Sequence, residues 1–167
     1  MSDTRSTGSD GSAPPDPPGR VEALWVKRAR GGPMDPADAV TLHEGRGIEG
    51  NADQGGWRQV TVIEAEVFEA LADRLGPDVS PAMRRANVLV RGIRLEECRG
   101  RILHLGKCRI EMRGETRPCH QMDEQLPGLR EALDPGWGGG AFGRVLDGGE
   151  IAVGDPTRWG DSRAAGS

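Results

Sequence analysis

The chain has 167 residues, 22 basic and 26 acidic side chains, three histidines and a net charge of -4, the size of one domain with some tail. No run approaches the ~18 apolar residues of a membrane span, and the N-terminus lacks the apolar core of a signal peptide. The acidic balance argues against a general nucleic-acid binder, so the expectation is a cytoplasmic domain with neither membrane nor nucleic acid as partner. Cys98, Cys108 and Cys119 form no CxxC pair and are odd in number, which disfavours both a secreted disulfide framework and a structural zinc site.

Residues 1–19 hold four prolines and little that can be buried, so they are expected as a disordered tail. The folded domain is expected over 20–159, followed by a flexible tail over 160–167. Val21 to Arg28 and Ala39 to Leu42 read as strands. Gln59 to Ile63 is a β-branched strand that runs into a helix from Glu64 to Leu75. There Val67, Phe68, Leu71 and Leu75 share one face, and Gly76-Pro77 stops the run. Ser80-Pro81 opens a short helix, and Asn87 to Arg91 is the next strand. Arg101 to Arg113 reads as a hairpin turning at Gly106-Lys107. That register sets Leu105 opposite Cys108 and Leu103 opposite Ile110, with Ile102, His104, Arg109 and Glu111 on the other face. Cys108 is expected in the core and His104 as a surface or half-buried pairing residue. Two short helices are expected over 119–126 and 127–133, a mobile loop at Gly138 to Gly140, and a second hairpin from Phe142 to Val153. Many short strands with few helices indicate a mainly β, closed or folded-over architecture rather than a parallel βαβ sheet.

Arginine outnumbers lysine 20 to 2, and the segment from Arg84 to Arg117 carries +6 while the remainder carries -10. Two readings stand: a coding bias that writes Arg wherever a cation is tolerated, or a local site for a small anion, which guanidinium forks suit. Cys119 lies just after this cationic stretch, two residues from Arg117 and at the start of an expected helix. Both features favour a thiolate, the form that attacks electrophiles or binds soft metals. A buried, inert thiol is the equally weighted alternative. His120 is adjacent but diverges from Cys119 along the chain. His43 sits in the Gly-rich loop LHEGRGIEGNADQGG, which lacks the Gly-Lys-Ser/Thr ending of a phosphate-binding P-loop.

Several ordered pieces of the chain resemble the MOSC domain family, named for the C-terminal domain of molybdenum-cofactor sulfurase. They are GRGIEGN from Gly45, RQVTVIEAE from Arg58, RRANVLVRGI from Arg84, ILHLGKCRIEM from Ile102, RPCHQM from Arg117 and RVLDGGEIAVGD from Arg144. The resemblance implies a β-barrel-like fold of mixed strands and short helices, with a site for molybdenum cofactor (molybdopterin). It implies that Cys119 is the catalytic residue and metal ligand. Arg58, Arg85 and Asn87 would bind the pterin or its phosphate, with Arg84 and Arg117 as further candidates. The family often has Gly-Asp and a nearby His in the first glycine loop; here Gly50-Asn51 replaces them, with Asp53 as a substitute carboxylate. Full sulfurases carry a pyridoxal-phosphate domain that this sequence does not contain. Its lysines, Lys27 and Lys107, lie in an expected strand and turn, so covalent pyridoxal phosphate is not expected. The activity implied is reduction of small N-hydroxylated substrates with electrons from a separate redox partner, since three cysteines cannot hold a usual iron–sulfur cluster. The alternatives are a sulfur carrier loaded at Cys119 by a cysteine desulfurase, and a non-catalytic cofactor-binding module.

Overall fold

The computed structural model describes residues 19–29, 34–52, 54–56, 58–76, 79–81, 85–116, 128–133 and 135–163. The strands are β1 (Gly19–Lys27), β2 (Met34–Ala37), β3 (Ala39–His43), β4 (Gly47–Ile48), β5 (Val60–Glu64), β6 (Val88–Arg91), β7 (Arg101–Leu105), β8 (Cys108–Glu115), β9 (Ala141–Asp147), β10 (Gly149–Ala152) and β11 (Pro156–Arg163). Helices α1 (Ala65–Leu75) and α2 (Leu129–Leu133) and a 3-10 turn at Pro135–Trp137 complete the described elements.

Seven strands close on themselves in the order β1, β6, β5, β9, β8, β7, β11 and back to β1, with β2 attached to β1. Closure rests on Gly19 opposite Thr157 and Arg20 opposite Pro156. It leaves the barrel strands without an open edge, which suits short, β-branched segments that are weak alone. The mainly β, barrel-like expectation is met. The barrel is mixed: β5 and β6 run parallel and are bridged by α1, while the other pairs are antiparallel. A separate sheet of β10, β3 and β4 packs its Val40, Leu42, Ile48 and Ile151 into the same interior as the barrel residues.

The β7–β8 hairpin forms in the expected register, Leu105 opposite Cys108 and Leu103 opposite Ile110. All four side chains are fully buried, so Cys108 is a core residue. In α1, Phe68 and Leu71 are buried with Ala65, and Val67 and Leu75 pack at the margin. This helix and α2 cover the outer side of β1, β5 and β6, where Ile63 and Leu89 meet Phe68, Leu129 and Leu133. Glu64 precedes the helix without capping it, because its carboxylate accepts the Leu95 amide at 3.3 Å.

Two expectations change. Residues 142–153 are not a hairpin: β9 pairs with β5 and β8, whereas β10 pairs with β3. The chain changes sheets at Gly148, where a Cβ would collide with the Leu42 carbonyl oxygen. Gly138, Gly139 and Gly140 are buried rather than a loose loop. A Cβ on Gly138 would lie 2.5 Å from the Leu133 oxygen, and one on Gly140 would collide with the Val62 oxygen. Small β2 and β4 escaped the sequence reading because Met34-Asp-Pro-Ala and Gly47-Ile carry no alternation. The expected helix over 119–126 lies outside the described residues, and among the described residues no helix is long and apolar enough to cross a membrane.

Gly140 has φ +98 and no room for a side chain, whereas Gly45 has φ +70 and open space around it. Gly140→Ala is expected to cost about 2–4 kcal/mol of stability and Gly45→Ala about 1 kcal/mol, measured by urea unfolding. Equal losses at the two positions would show that close approach to β5 contributes nothing.

Candidate functional site

The Gly-rich loop is shaped by its own backbone before any side chain is considered. β3 turns into β4 with the Arg46 amide donating to the His43 oxygen at 3.0 Å. Gly47 sits so close to β5 that a Cβ would lie 2.6 Å from the Gln59 oxygen. Beyond β4, Gly50 has φ +83 and delivers Asn51 into the protein, where it is 7% exposed. The Asn51 Oδ1 accepts the Lys27 amide at 2.8 Å and the Asn87 Nδ2 at 3.2 Å.

Asn87, also buried, is the centre of this arrangement. Its Oδ1 accepts the Thr61 amide at 3.2 Å and the Thr61 hydroxyl at 3.0 Å. Its Nδ2 donates to the Trp25 oxygen at 3.3 Å as well as to Asn51. A carboxamide offers two donor hydrogens and two acceptor lone pairs, and all four are engaged. One side chain therefore ties β1, β5, the start of β6 and the glycine loop together. The Gly50-Asn51 departure is also explained: the side chain at 51 serves as a buried acceptor, which an amide oxygen supplies without the cost of burying a charge.

Around Asn51 an open cavity of about 470 Å³ is lined by His43, Arg46, Glu49, Gly50, Asn51 and Gln54. Gln54 closes the loop by donating Nε2 to the Ile48 and Asn51 oxygens at 2.5 and 3.0 Å. At the rim the His43 Nε2 lies 2.9 Å from the Glu49 Oε1. Arg28 reaches Gly50 from outside, held by Asp35 at 3.2 Å. The rim thus carries both signs of charge.

The residues expected to bind a ligand fall into two groups. Arg85, half-buried two residues before Asn87, has φ 61, a left-handed conformation rare for Arg that local structure must hold in place. Arg58 is exposed, with its guanidinium 4.9 Å from the centre of the Phe142 ring. Phe142 is the cross-strand partner of Thr61, which bonds Asn87. Arg58 precedes β5, and Arg85 and Asn87 precede β6, so all three lie on segments entering the parallel pair from the same end of the barrel. Cys119, Arg84, Arg117 and Asp53 lie outside the described residues. Thr116, three residues before Cys119, is fixed: its amide donates to the Gly140 oxygen at 2.9 Å and its hydroxyl to the Gly139 oxygen at 2.7 Å. Sequence reasoning missed Asn51, Thr61 and Gln54 as partners; the only signal was the unusual Gly50-Asn51.

The two described thiols are unsuited to chemistry. Burial pushes the Cys98 thiol up to about 12, and burial also raises that of Cys108, whose Sγ donates to the Gly149 oxygen at 3.4 Å. Among the described residues no cluster of three His, Cys, Asp or Glu side chains could hold a metal ion. Glu64 is 3% exposed, and desolvation raises its carboxyl above the ordinary range, against the weaker effect of the Leu95 amide.

Comparison with known proteins agrees with this architecture. The MOSC domain profile matches residues 42–158. The YuaD protein from Bacillus subtilis superposes with a TM-score of 0.71 at 20% identity, over 83% of this chain and 93% of that one. YiiM from Geobacillus stearothermophilus gives 0.69 at 20% identity, over 86% and 76%. YiiM from Escherichia coli gives 0.65 at 17% identity, over 87% and 72%. No curated protein matches the chain significantly.

Asn51→Leu and Asn87→Leu each strand buried partners and are expected to cost about 1–3 kcal/mol. Because the two side chains share a bond, the double variant should lose less than the sum by about 0.5–3 kcal/mol in a denaturation cycle; additive losses would disprove the connection. A carboxyl raised on folding stabilises the protein below its unfolded pKa of about 4.3, and that contribution is lost as pH rises through the folded value. Glu64→Gln should therefore melt at higher temperature than wild type at about pH 8, with the gap closing toward about pH 4. A pH-independent gap in calorimetry would contradict the buried-carboxyl assignment.

Proposed function

The chain belongs to the MOSC domain family, and from that membership we propose that it binds molybdenum cofactor and reduces small N-hydroxylated substrates, in the cytoplasm, with electrons from a separate protein. What supports this reading is that Arg58 and Arg85 sit on the segments leading into the parallel strands β5 and β6, the second of them two residues before buried Asn87. Guanidinium groups on fixed backbone are matched to the cofactor's phosphate, where bidentate charge-assisted bonds give both affinity and orientation. When bound, the cofactor supplies two-electron redox chemistry at its metal.

The chain's own residues divide the work. Asn87 has no free donor or acceptor for a ligand, so its role is positional: it fixes the segment that carries Arg85. Arg58 is spread over Phe142, which leaves its guanidinium edge available to an anion. Arg84 and Arg117, which lie outside the described residues, are further candidates for the phosphate. The metal donor set comes from Cys119, since Cys98 and Cys108 are buried with raised pKa and the described residues offer no alternative cluster. A thiolate at 119 is favoured by neighbouring Arg117. This donor set fits a soft, thiolate-binding metal and does not resemble a zinc or calcium cage.

Anaerobic purification followed by elemental analysis tests the reading. Stoichiometric molybdenum, lost in Cys119→Ala and retained in Cys98→Ala, is expected. A protein free of molybdenum that carries one added sulfur at Cys119 by mass spectrometry would replace it with a sulfur-carrier function. Cofactor retained in Cys119→Ala, with no turnover of hydroxylamine substrates, would leave a non-catalytic binding module. In the native protein iodoacetamide should modify Cys119 and spare Cys98 and Cys108 at about pH 7.5, because only the thiolate attacks; labelling of either buried thiol before Cys119 would remove the basis for choosing it.

A further inference from the structure

Of the described aromatic side chains, Phe142 alone belongs to neither apolar cluster. Phe68 and Trp25 pack in the helix-covered one, and Trp137 and Trp159 pack against the barrel core. Along β9, Ala141, Gly143 and Val145 are buried, so the alternation puts half-buried Phe142 on the outer side of the barrel. Its cross-strand partners are Thr61 on β5 and Gly114 on β8. Thr61 is held by its hydroxyl bond to Asn87 at 3.0 Å. Gly114 contributes an absence: a Cβ there would lie 3.1 Å from both Cε1 and Cζ of the ring. The ring thus occupies the space beside β8 that a side chain at 114 would take, an aromatic covering a strand glycine.

What rests on this ring is Arg58, whose guanidinium lies 4.9 Å over its centre. The backbone beside Arg58 is already fixed. The Gln59 amide donates to the Gly143 oxygen at 3.1 Å, and the Gln59 Oε1 accepts the Val145 amide at 3.0 Å. The Arg58 side chain has no carboxylate partner among the described residues. Arg109, Arg113 and Arg144, by contrast, are paired with Asp147 or Glu111. A ring face attracts a guanidinium without neutralising it. Arg58 therefore keeps its charge for a ligand while giving up in advance part of the rotamer freedom that binding would otherwise remove.

We propose that Phe142 is a positioning residue for the anion site: it holds the Arg58 guanidinium at the entry to β5, and Gly114 makes the room it needs. The inference rests on the reading that Arg58 meets the cofactor's phosphate, and it names what pre-organises that contact. Phe142 acts through Arg58. Leucine at 142 keeps the position apolar but has no ring face, whereas tyrosine keeps the face. Alanine at 114 leaves the ring in place chemically and presses it away from its seat.

Nitrogen–proton NMR of the arginine side chains in the full chain, titrated with inorganic phosphate, tests it. In wild type the Arg58 Nε–H resonance is expected upfield of ordinary arginines, because of the ring current, and should move as phosphate is added. Phe142→Leu should return it to the ordinary position and weaken phosphate binding about two- to fivefold, the span of an exposed guanidinium–ring contact. Phe142→Tyr should preserve both properties. Gly114→Ala should move the resonance in the same direction as Phe142→Leu does. An Arg58 resonance that stays put in Phe142→Leu or in Gly114→Ala overturns the inference. So does an unchanged phosphate affinity in Phe142→Leu while Arg58→Ala binds more weakly, and in that case the assignment of Arg58 to the phosphate survives. Phosphate binding equal in Arg58→Ala and wild type removes that assignment and the inference with it.

Discussion

A buried carboxamide with every hydrogen-bonding position used is an unusual demand on a small barrel, and here Asn87 meets it by being the meeting point of three strands and a loop. It takes up backbone groups of its neighbours: the Thr61 amide, the Trp25 oxygen and, through Asn51, the Lys27 amide. Such a network is costly when half-made and rigid when complete. Because it is complete, the glycine loop and the Arg85 segment are held in one arrangement, and the left-handed backbone at Arg85 can be sustained. The cavity beside Asn51 and the guanidinium groups around Phe142 inherit their positions from this point.

The mixed topology gives that point its place. The parallel β5–β6 pair, bridged by α1, brings the starts of both strands to the same end of the barrel. Ligand sites in parallel arrangements more often gather at the opposite, carboxyl ends. Here the opposite ends hold Glu64 turned toward Leu95, and Thr116 tied to Gly139 and Gly140. The packed glycines make that end dense.

Much of the fold could be read from residue pattern, and the reasons are local. The β7–β8 hairpin announced itself because Gly106 supplies the turn and alternation is clean on both sides of it. α1 announced itself through the spacing of Phe68 and Leu71. What failed was tertiary in origin. Asp147-Gly-Gly reads as a hairpin turn, yet whether β10 folds back on β9 or crosses to β3 is decided by contact with Leu42. Gly138 to Gly140 reads as slack chain, yet Leu133 and Val62 occupy the space that side chains would need. For the site, Arg58, Arg85 and Asn87 were marked by resemblance, but their division into ligand-facing cations and a positioning amide required the hydrogen bonds. Asn51 looked like a lost carboxylate until its acceptor role placed it inside.

The central claim is that cofactor sits at the end of the barrel organised by Asn87. Amide hydrogen exchange, compared between cofactor-loaded and cofactor-stripped protein, addresses it most directly, because a ligand slows opening where it binds. Added protection should appear in residues 45–56 and 85–88 and leave the β7–β8 hairpin unchanged. Protection confined to other segments, with these two exchanging alike in both forms, would contradict the account.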